Sequence, residues 1–142
     1  MSRPSKKINI AREQLEDGIS LFLDKRYISS LTLLGSASEI FEGLIHQKHG
    51  IIPFEKEWTQ ANTFRLRMGF PHISKGEIRR IRNEGKNIVK HHDLSDGQEV
   101  HLDRFAEAFM MIQRAVYNAD KLSLKFKYKR KYEKWFNDIT NT

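Results

Sequence analysis

Apolar residues recur at helical spacing along nearly the whole chain, and this periodicity is the feature that most restricts its fold. No run of alternating polar and apolar residues, the pattern typical of a half-buried β-strand, precedes the C-terminal tail. Nothing in the sequence marks a repeat, a low-complexity linker or a domain boundary. We therefore predict an all-α fold, a bundle of five to six helices, in a single helical domain over residues 1–142.

The second predicted helix has the widest apolar arc of the chain and is expected to be the most buried element. It runs from about Ile28 to Gln47, and Gly50 is a typical C-terminal stop. Pro53 suits the first turn of a third helix, which ends before Gly69. These signals divide the middle of the chain into two helices of unequal apolarity.

The next two helices also have recognisable starts. Ser74 and Glu77 form the sequence pattern of a capping box, which predicts a fourth helix that ends near Asp93. After a turn-forming segment at residues 93–97, apolar residues three, four and seven apart indicate a fifth helix. Its core-facing stripe consists of Leu102, Phe105, Phe109, Ile112, Val116 and Ala119.

The composition excludes several kinds of chemistry. The chain has 142 residues and no cysteine, so disulfides, zinc–thiolate sites and thiol catalysis are ruled out. His46 and His49 have no evident third ligand, so we expect neither a metal nor another cofactor. No signal peptide and no run of about 20 apolar residues is recognisable, which predicts a cytoplasmic protein with no transmembrane segment.

The net charge of +7 is concentrated in two segments. Residues 75–92 contain six lysine or arginine residues against two glutamates, and residues 121–134 contain seven against one. The rest of the chain is therefore slightly acidic. Such clustering favours a polyanionic partner, although a solvated basic surface that only maintains solubility gives the same pattern.

On a helical wheel of the fourth helix, apolar and basic residues separate to opposite sides. The apolar side consists of Ile78, Ile81, Ile88 and Val89. The basic side consists of Arg79, Arg82, Lys86 and Lys90, flanked by Asn83 and Asn87. His91 lies at the edge of this basic stripe, where it either meets a bound ligand or is a solvated helix-end histidine. His92 falls toward the apolar side and is expected to pack in the interior.

The stretch Lys86-Asn87-Ile88-Val89-Lys90-His91 resembles the signature of a known family. In the HEPN (higher eukaryotes and prokaryotes nucleotide-binding) family, an arginine, usually followed by a polar residue, stands four to six residues before a histidine. The small-residue and acidic second helix, from Tyr27 to Ile40, is also similar to that of bacterial members, and the order of the helices agrees. The likeness covers about residues 10–120 and leaves out the tail.

The resemblance implies an RNA-directed protein with His91, Lys86 and Asn87 at a catalytic site. Family ribonucleases hold the phosphate with arginine and place histidine near the scissile bond, and the RNA 2′-hydroxyl attacks without a metal. Lys86 stands at the arginine position, and its ammonium is a point charge that lacks the planar fork of arginine. The lysine leaves two alternatives open: a metal-independent endoribonuclease with a degenerate motif, and a non-catalytic descendant that keeps the fold.

The resemblance also implies a homodimer in which two copies of the motif face each other across a cleft around one RNA strand. The fourth-helix residues expected to contact RNA are Arg79, Arg82, Asn83 and Lys90. Glu39 and Glu42 of the second helix either orient the catalytic groups or form ordinary ion pairs with the basic fourth helix. A toxin or defence role, with an antitoxin or another protein as partner, is also implied by the resemblance.

Residues 123–142 form a basic aromatic tail, predicted as a C-terminal helix or extension. Its candidate RNA-binding residues are Lys127, Lys129, Arg130 and Lys131, because such side chains displace counterions from phosphates. Tyr128, Tyr132 and Trp135 either stack on bases or, since they share a helical face, pack on the bundle. The alternative for the whole chain is a non-catalytic helical interaction or assembly protein that binds a protein or membrane partner.

Overall fold

The computed structural model describes residues 2–141, and this part of the chain folds into six helices without a β-strand. The helices are α1 (Lys7–Leu23), α2 (Tyr27–His49), α3 (Pro53–Arg67), α4 (Lys75–Ile88), α5 (Arg104–Lys121) and α6 (Lys129–Thr140). The prediction of an all-α bundle of five to six helices is therefore confirmed.

The main apolar core lies where α1, α2 and α5 pack together. A short turn joins α1 to α2, and the Ser30 hydroxyl of α2 donates a hydrogen bond of 2.7 Å to the Gly18 carbonyl of α1. Eight residues of α2 are buried, more than in any other helix, as its wide apolar arc predicts. Because α2 contacts α1, α3, α4 and α5, it is the central helix of the bundle.

By length and composition alone, α2 is also the one described helix that is long and apolar enough to cross a membrane. The core helix of a bundle passes the same test. Leu31, Leu34 and Phe41 of α2 are buried in the cluster formed with α1 and α5. Their burial accounts for the apolar character of the helix.

A second, more polar layer is formed by α3 and α4. The loop between them is held by Ile73, whose carbonyl accepts hydrogen bonds from Trp58 Nε1 (3.0 Å) and Asn62 Nδ2 (3.1 Å). The backbone N–H of Ile73 donates in turn to Asn62 Oδ1 at 2.8 Å. These bonds fix the start of α4 against α3, and the Ser74 hydroxyl caps α4 by accepting the Glu77 N–H at 3.1 Å.

The end of α4 differs from the prediction. The helix stops at Ile88 rather than near Asp93, and both His91 and His92 lie in the exposed loop that follows. The prediction that His92 packs in the interior is therefore wrong. Asp93 and Asp96 close a turn in this loop, in which the Asp93 N–H donates to the Asp96 carboxylate at 2.7 Å. This local bonding competes with continuation of the helix.

The tail folds as an irregular connection followed by α6, which packs on the core through aromatic side chains. Tyr132 is buried, and the ring of Trp135 meets the ring of Phe22 edge-on with centroids 4.9 Å apart. Glu16 of α1 anchors the connection by accepting the backbone N–H of Lys127 at 2.8 Å. The packing interpretation of Tyr132 and Trp135 is confirmed.

Candidate functional site

Lys86, at the position of the motif cation, is buried between helices. Its side chain is only 7% exposed and forms an ion pair with Glu39 of α2. The aliphatic stem crosses α2 at Gly35, where an added Cβ would come within 2.9 Å of Lys86 Cδ. Burial lowers the pKa of Lys86, and the nearby charges of Lys90 and Arg114 lower it further. The structure therefore places Lys86 in a contact between helices and not on an open basic side of α4.

Arg82 lies one helical turn before Lys86 and is also directed inward. Its guanidinium forms an ion pair with Glu42 of α2, and its Nε lies 2.9 Å from Glu57 Oε2 of α3. The Nε–H is not aligned with that oxygen, so the second contact is a charge contact rather than a hydrogen bond. With 11% of its side chain exposed, Arg82 is not the solvent-facing phosphate ligand that the sequence predicts.

Arg82 and Lys86 belong to a group of charged and polar side chains that joins α2, α3, α4 and α5. Glu57 also pairs with Arg114 Nε of α5 at 3.4 Å. Asn118 of α5 donates to Ser38 Oγ at 3.1 Å and to Glu42 Oε1 at 3.4 Å. Burial lowers the pKa of Arg114, and the charge of Arg82 adds to that effect. We call Glu39, Glu42, Glu57, Arg82, Lys86 and Arg114 the ionic network.

The acidic residues of α2 form ion pairs with the fourth helix. Glu39 pairs with Lys86, and Glu42 pairs with Arg82. The network also accounts for the inward rotation of α4. Ile81, assigned to the apolar side, is 49% exposed, whereas Gly85 and Lys86 are the buried residues of the helix.

The side of α4 that remains exposed carries a different set of cations. It consists of Arg79, Arg80, Asn83, Asn87 and, in the turn after the helix, Lys90. We call this set the outer face of α4; Asn83 is half-buried and the others are exposed. The Arg79 guanidinium lies over the ring of Phe54 at 4.5 Å, so it is supported by an aromatic side chain while it stays accessible. The helical wheel did not assign Arg80 to the basic side of the helix, because that side was defined around Arg82 and Lys86.

His91 lies just beyond the outer face, and its backbone N–H bonds to the Asn87 carbonyl at 3.0 Å. A cavity of about 520 Å³ beside His91 is lined on its polar side by Lys90, His91, His92, Asp96 and Gln98. Lys86 and Asn87 do not line this cavity. The structure therefore brings His91 together with Lys90 and separates it from the inward side chain of Lys86.

The cations of the tail are divided between structural and free roles. Lys129 pairs with Asp120 of α5 at 2.7 Å, and this hydrogen bond raises the pKa of Lys129. Lys127, Arg130 and Lys131 are exposed, and the Lys131 ammonium lies 5.8 Å from the centre of the Tyr128 ring. These three side chains are available to an anion, whereas Lys129 already has a partner.

No group of three or more potential metal ligands occurs within residues 2–141. Comparison with protein-family models, with curated proteins and with solved structures finds no match to this chain. The function is therefore inferred from the residues of the chain alone.

Proposed function

We propose that this protein is a HEPN-like helical bundle that binds RNA through the outer face of α4 and the exposed lysine and arginine residues of the tail. The observation that carries the proposal is the division of the basic residues of α4 into two sets. Arg82 and Lys86 are neutralised by carboxylates, whereas Arg79, Arg80 and Lys90 are exposed and have no carboxylate partner within residues 2–141. Exposed, unneutralised cations on one face attract a phosphate backbone.

The same division favours binding without cleavage. A catalytic cation must reach the scissile phosphate, but the Lys86 ammonium is paired with Glu39 and its stem is packed against Gly35. The Lys86 stem is buried in the contact between α4 and α2, so moving it toward a bound phosphate would open that contact. We therefore propose that the chain acts as a non-catalytic member of the HEPN-like group, with His91 and Asn87 as contacts for RNA rather than as parts of a cleavage site.

A salt titration tests the binding proposal. Anisotropy of a labelled single-stranded RNA measures affinity at several salt concentrations for the wild type and for Arg79→Gln/Arg80→Gln/Lys90→Gln. We expect the triple variant to bind at least tenfold more weakly at low salt. Since each phosphate contact contributes about 0.7 to the slope of log affinity against log salt, the slope should fall by about 2. The variant Lys6→Gln/Lys7→Gln/Lys48→Gln, with three exposed lysines changed elsewhere, is the control for net charge.

Incubation with RNA in the presence of a chelator tests the absence of cleavage. We expect intact RNA with both the wild type and His91→Ala. Metal-independent cleavage that His91→Ala abolishes would restore the ribonuclease interpretation. Equal binding by the outer-face variant and its control would remove the RNA proposal.

A protein-interaction function is the second candidate, and exposed apolar side chains at one end of α3 favour it. The C-terminal end of α3 and the loop after it expose four large apolar side chains, those of Phe64, Leu66, Met68 and Phe70, between 53% and 80%. Exposed apolar groups of this size are typical of interfaces. The proposed homodimer would use such a surface, and sedimentation of the wild type against Phe64→Ser/Leu66→Ser measures whether a dimer forms through it.

A further inference from the structure

A cavity of about 610 Å³ lies on the side of the bundle where the start of α3 meets the C-terminal half of α5. Its size is within the range of sites for small molecules, roughly 300–1,000 Å³. One wall is apolar and is formed by Ile45, Ile51 and Pro53. None of the residues of the outer face of α4 line the cavity, so a ligand bound in it would be independent of the proposed RNA-binding function.

The polar side of the cavity is cationic. Lys56 of α3 and Lys121 of α5 both direct their ammonium groups at the ring of Tyr117, at 5.9 Å and 5.8 Å from its centre. The Lys56 ammonium also donates to the Tyr117 hydroxyl at 3.4 Å. Within residues 2–141, neither lysine has a carboxylate at ion-pair distance. Two ammonium groups thus converge on one aromatic ring without a negative charge between them.

The depth of the cavity adds a third cation. Arg114, with 17% of its side chain exposed, lies in the lining beside Glu57. Glu57 is shared between Arg114 and Arg82, so one carboxylate faces two guanidinium groups. The lining therefore combines three cations with one already engaged carboxylate, and an anion placed there would meet an excess of positive charge. Asn118 at the same wall supplies an amide group.

From this arrangement we propose that the cavity binds a small organic anion. Its anionic group, a carboxylate, sulfonate or phosphate, is held by Lys56, Lys121 and Arg114. Its apolar body lies against the wall formed by Ile45, Ile51 and Pro53 and against the Tyr117 ring. A largely apolar concavity with a few convergent polar groups is the usual form of a small-molecule site, and here the polar groups select for negative charge.

Two fluorescent probes test the proposal because they share an aromatic body and differ in charge. The anionic probe is 8-anilinonaphthalene-1-sulfonate, and the neutral probe is N-phenyl-1-naphthylamine. Titration of each against the full chain gives its affinity and stoichiometry. For Lys56→Gln/Lys121→Gln we expect the anionic probe to bind at least tenfold more weakly, while the neutral probe changes by less than about threefold. A double variant of two exposed tail lysines, Lys125→Gln/Lys134→Gln, has the same change in charge and should bind both probes as the wild type does.

Chemical-shift changes in a ¹⁵N-labelled sample locate the probe. We expect the sulfonate to shift the amides of Tyr117, Asn118 and Lys121. Shifts confined to the exposed apolar residues Phe64, Leu66 and Phe70 would overturn the proposal, because the probe would then be adsorbed elsewhere. An unchanged sulfonate affinity in Lys56→Gln/Lys121→Gln, or an equal loss for both probes, would also overturn it. Circular dichroism and urea unfolding of the variant verify that its bundle is intact.

Discussion

The two basic helices α4 and α6 are similar in length and composition but are attached to the bundle by different interactions. Both are short, amphipathic and rich in lysine and arginine. Rings attach α6: Tyr132 is buried, and Trp135 and Phe136 pack around Phe22 and Phe109. Charges attach α4, whose buried positions are Gly85 and Lys86 and whose inward arginine meets two carboxylates.

The difference has consequences for stability and for function. Burial of aromatic rings is non-directional and contributes in proportion to area, so α6 should be held over a wide range of salt. Ion pairs between helices depend on both partners, and the loss of one leaves a charge without compensation. The aromatic attachment leaves Arg130 and Lys131 of α6 exposed, although Lys129 pairs with Asp120, whereas the ionic attachment engages Arg82 and Lys86 of α4. Basic residues are therefore informative about binding only after their carboxylate partners have been assigned.

The largest loss of stability is expected when an aromatic ring that attaches α6 is removed. Trp135→Ala removes the ring that meets Phe22 at 4.9 Å and Phe109 at 6.0 Å. Because Trp135 is half-buried, we expect a loss of about 3 kcal/mol in the free energy of unfolding, near the low end for buried aromatic residues. Urea unfolding followed by circular dichroism measures it, at low and at high salt. Lys134→Ala, the exposed neighbour on α6, should change stability by less than about 0.5 kcal/mol. A loss for Trp135→Ala below about 1 kcal/mol would show that α6 is not held by this ring.

A smaller loss of stability is expected when a charge that attaches α4 is removed. Arg82→Met removes the cation shared by Glu42 and Glu57 and leaves Arg114 as the remaining partner of Glu57. Both carboxylates keep some contact with solvent, so we expect a loss of about 2 kcal/mol, below the roughly 3–5 kcal/mol for a fully buried pair. Adding Glu42→Gln to Arg82→Met should recover part of this loss, and urea unfolding compares the variants. Arg80→Met, on the outer face of the same helix, is the matched control and should be nearly neutral. Equal effects of the two substitutions would contradict the inward assignment of Arg82.

The helical bundle could be predicted from the sequence because apolar residues recur at helical spacing along almost the whole chain. The capping box at Ser74 and the stop at Gly50 were found for the same reason, since each depends on local hydrogen bonds or backbone conformation. Local rules also explain the error at the end of α4. The turn closed by Asp93 and Asp96 competes with the helix, and periodicity alone does not register that competition.

The orientation of α4 could not be predicted from a helical wheel. A wheel treats lysine as polar, but the lysine stem is four methylene groups that pack well when the ammonium finds a partner. The signal that was available lies on α2, where Gly35 and Glu39 are one turn apart and provide a gap and a carboxylate. Glu57 and Arg114, which complete the ionic network, come from distant parts of the chain, and no short-range pattern connects them to α4.

Tyr132, the buried residue of α6, gives a pH-dependent test of how this helix is attached to the bundle. Burial raises the pKa of Tyr132 to about 12, from 10.0 for an exposed tyrosine. A folded-state pKa above the unfolded value stabilises the fold at pH below 10 and loses that contribution as the pH rises toward 12. We expect the wild type to lose about 1.4 kcal/mol between about pH 9 and pH 11 from this group, and Tyr132→Phe to lose none of it.

Spectrophotometric titration of the four tyrosines provides the direct measurement. The titration of the wild type should contain a late step from Tyr132, and Tyr132→Phe should remove that step. Tyr128→Phe, which changes an exposed ring next to α6, should leave the late step in place. Loss of the late step in Tyr128→Phe would show that this step comes from Tyr128 and not from Tyr132.

Three glycines allow the contact of α4 with α2 to be compared with the apolar contact of α1 with α2 by adding a single methyl group. An added Cβ at Gly18 would lie 2.7 Å from Leu34 Cγ in the apolar contact between α1 and α2, whereas at Gly35 it would meet the flexible stem of Lys86 at 2.9 Å. Gly43 has nothing within 4 Å. Alanine favours a helix over glycine by about 1 kcal/mol, so Gly43→Ala should stabilise the protein by nearly that amount.

Against this gain, overpacking at Gly18 should dominate and give a net loss of about 1 kcal/mol, because close-packed apolar side chains have no room to move. At Gly35 a small shift of the Lys86 stem, with its pair to Glu39 kept, relieves the contact, so the two effects should cancel to within about 0.5 kcal/mol. Urea unfolding of the three alanine variants gives the order. Should Gly35→Ala lose as much stability as Gly18→Ala, the contact of α4 with α2 would be as closely packed as the apolar core, contrary to this prediction.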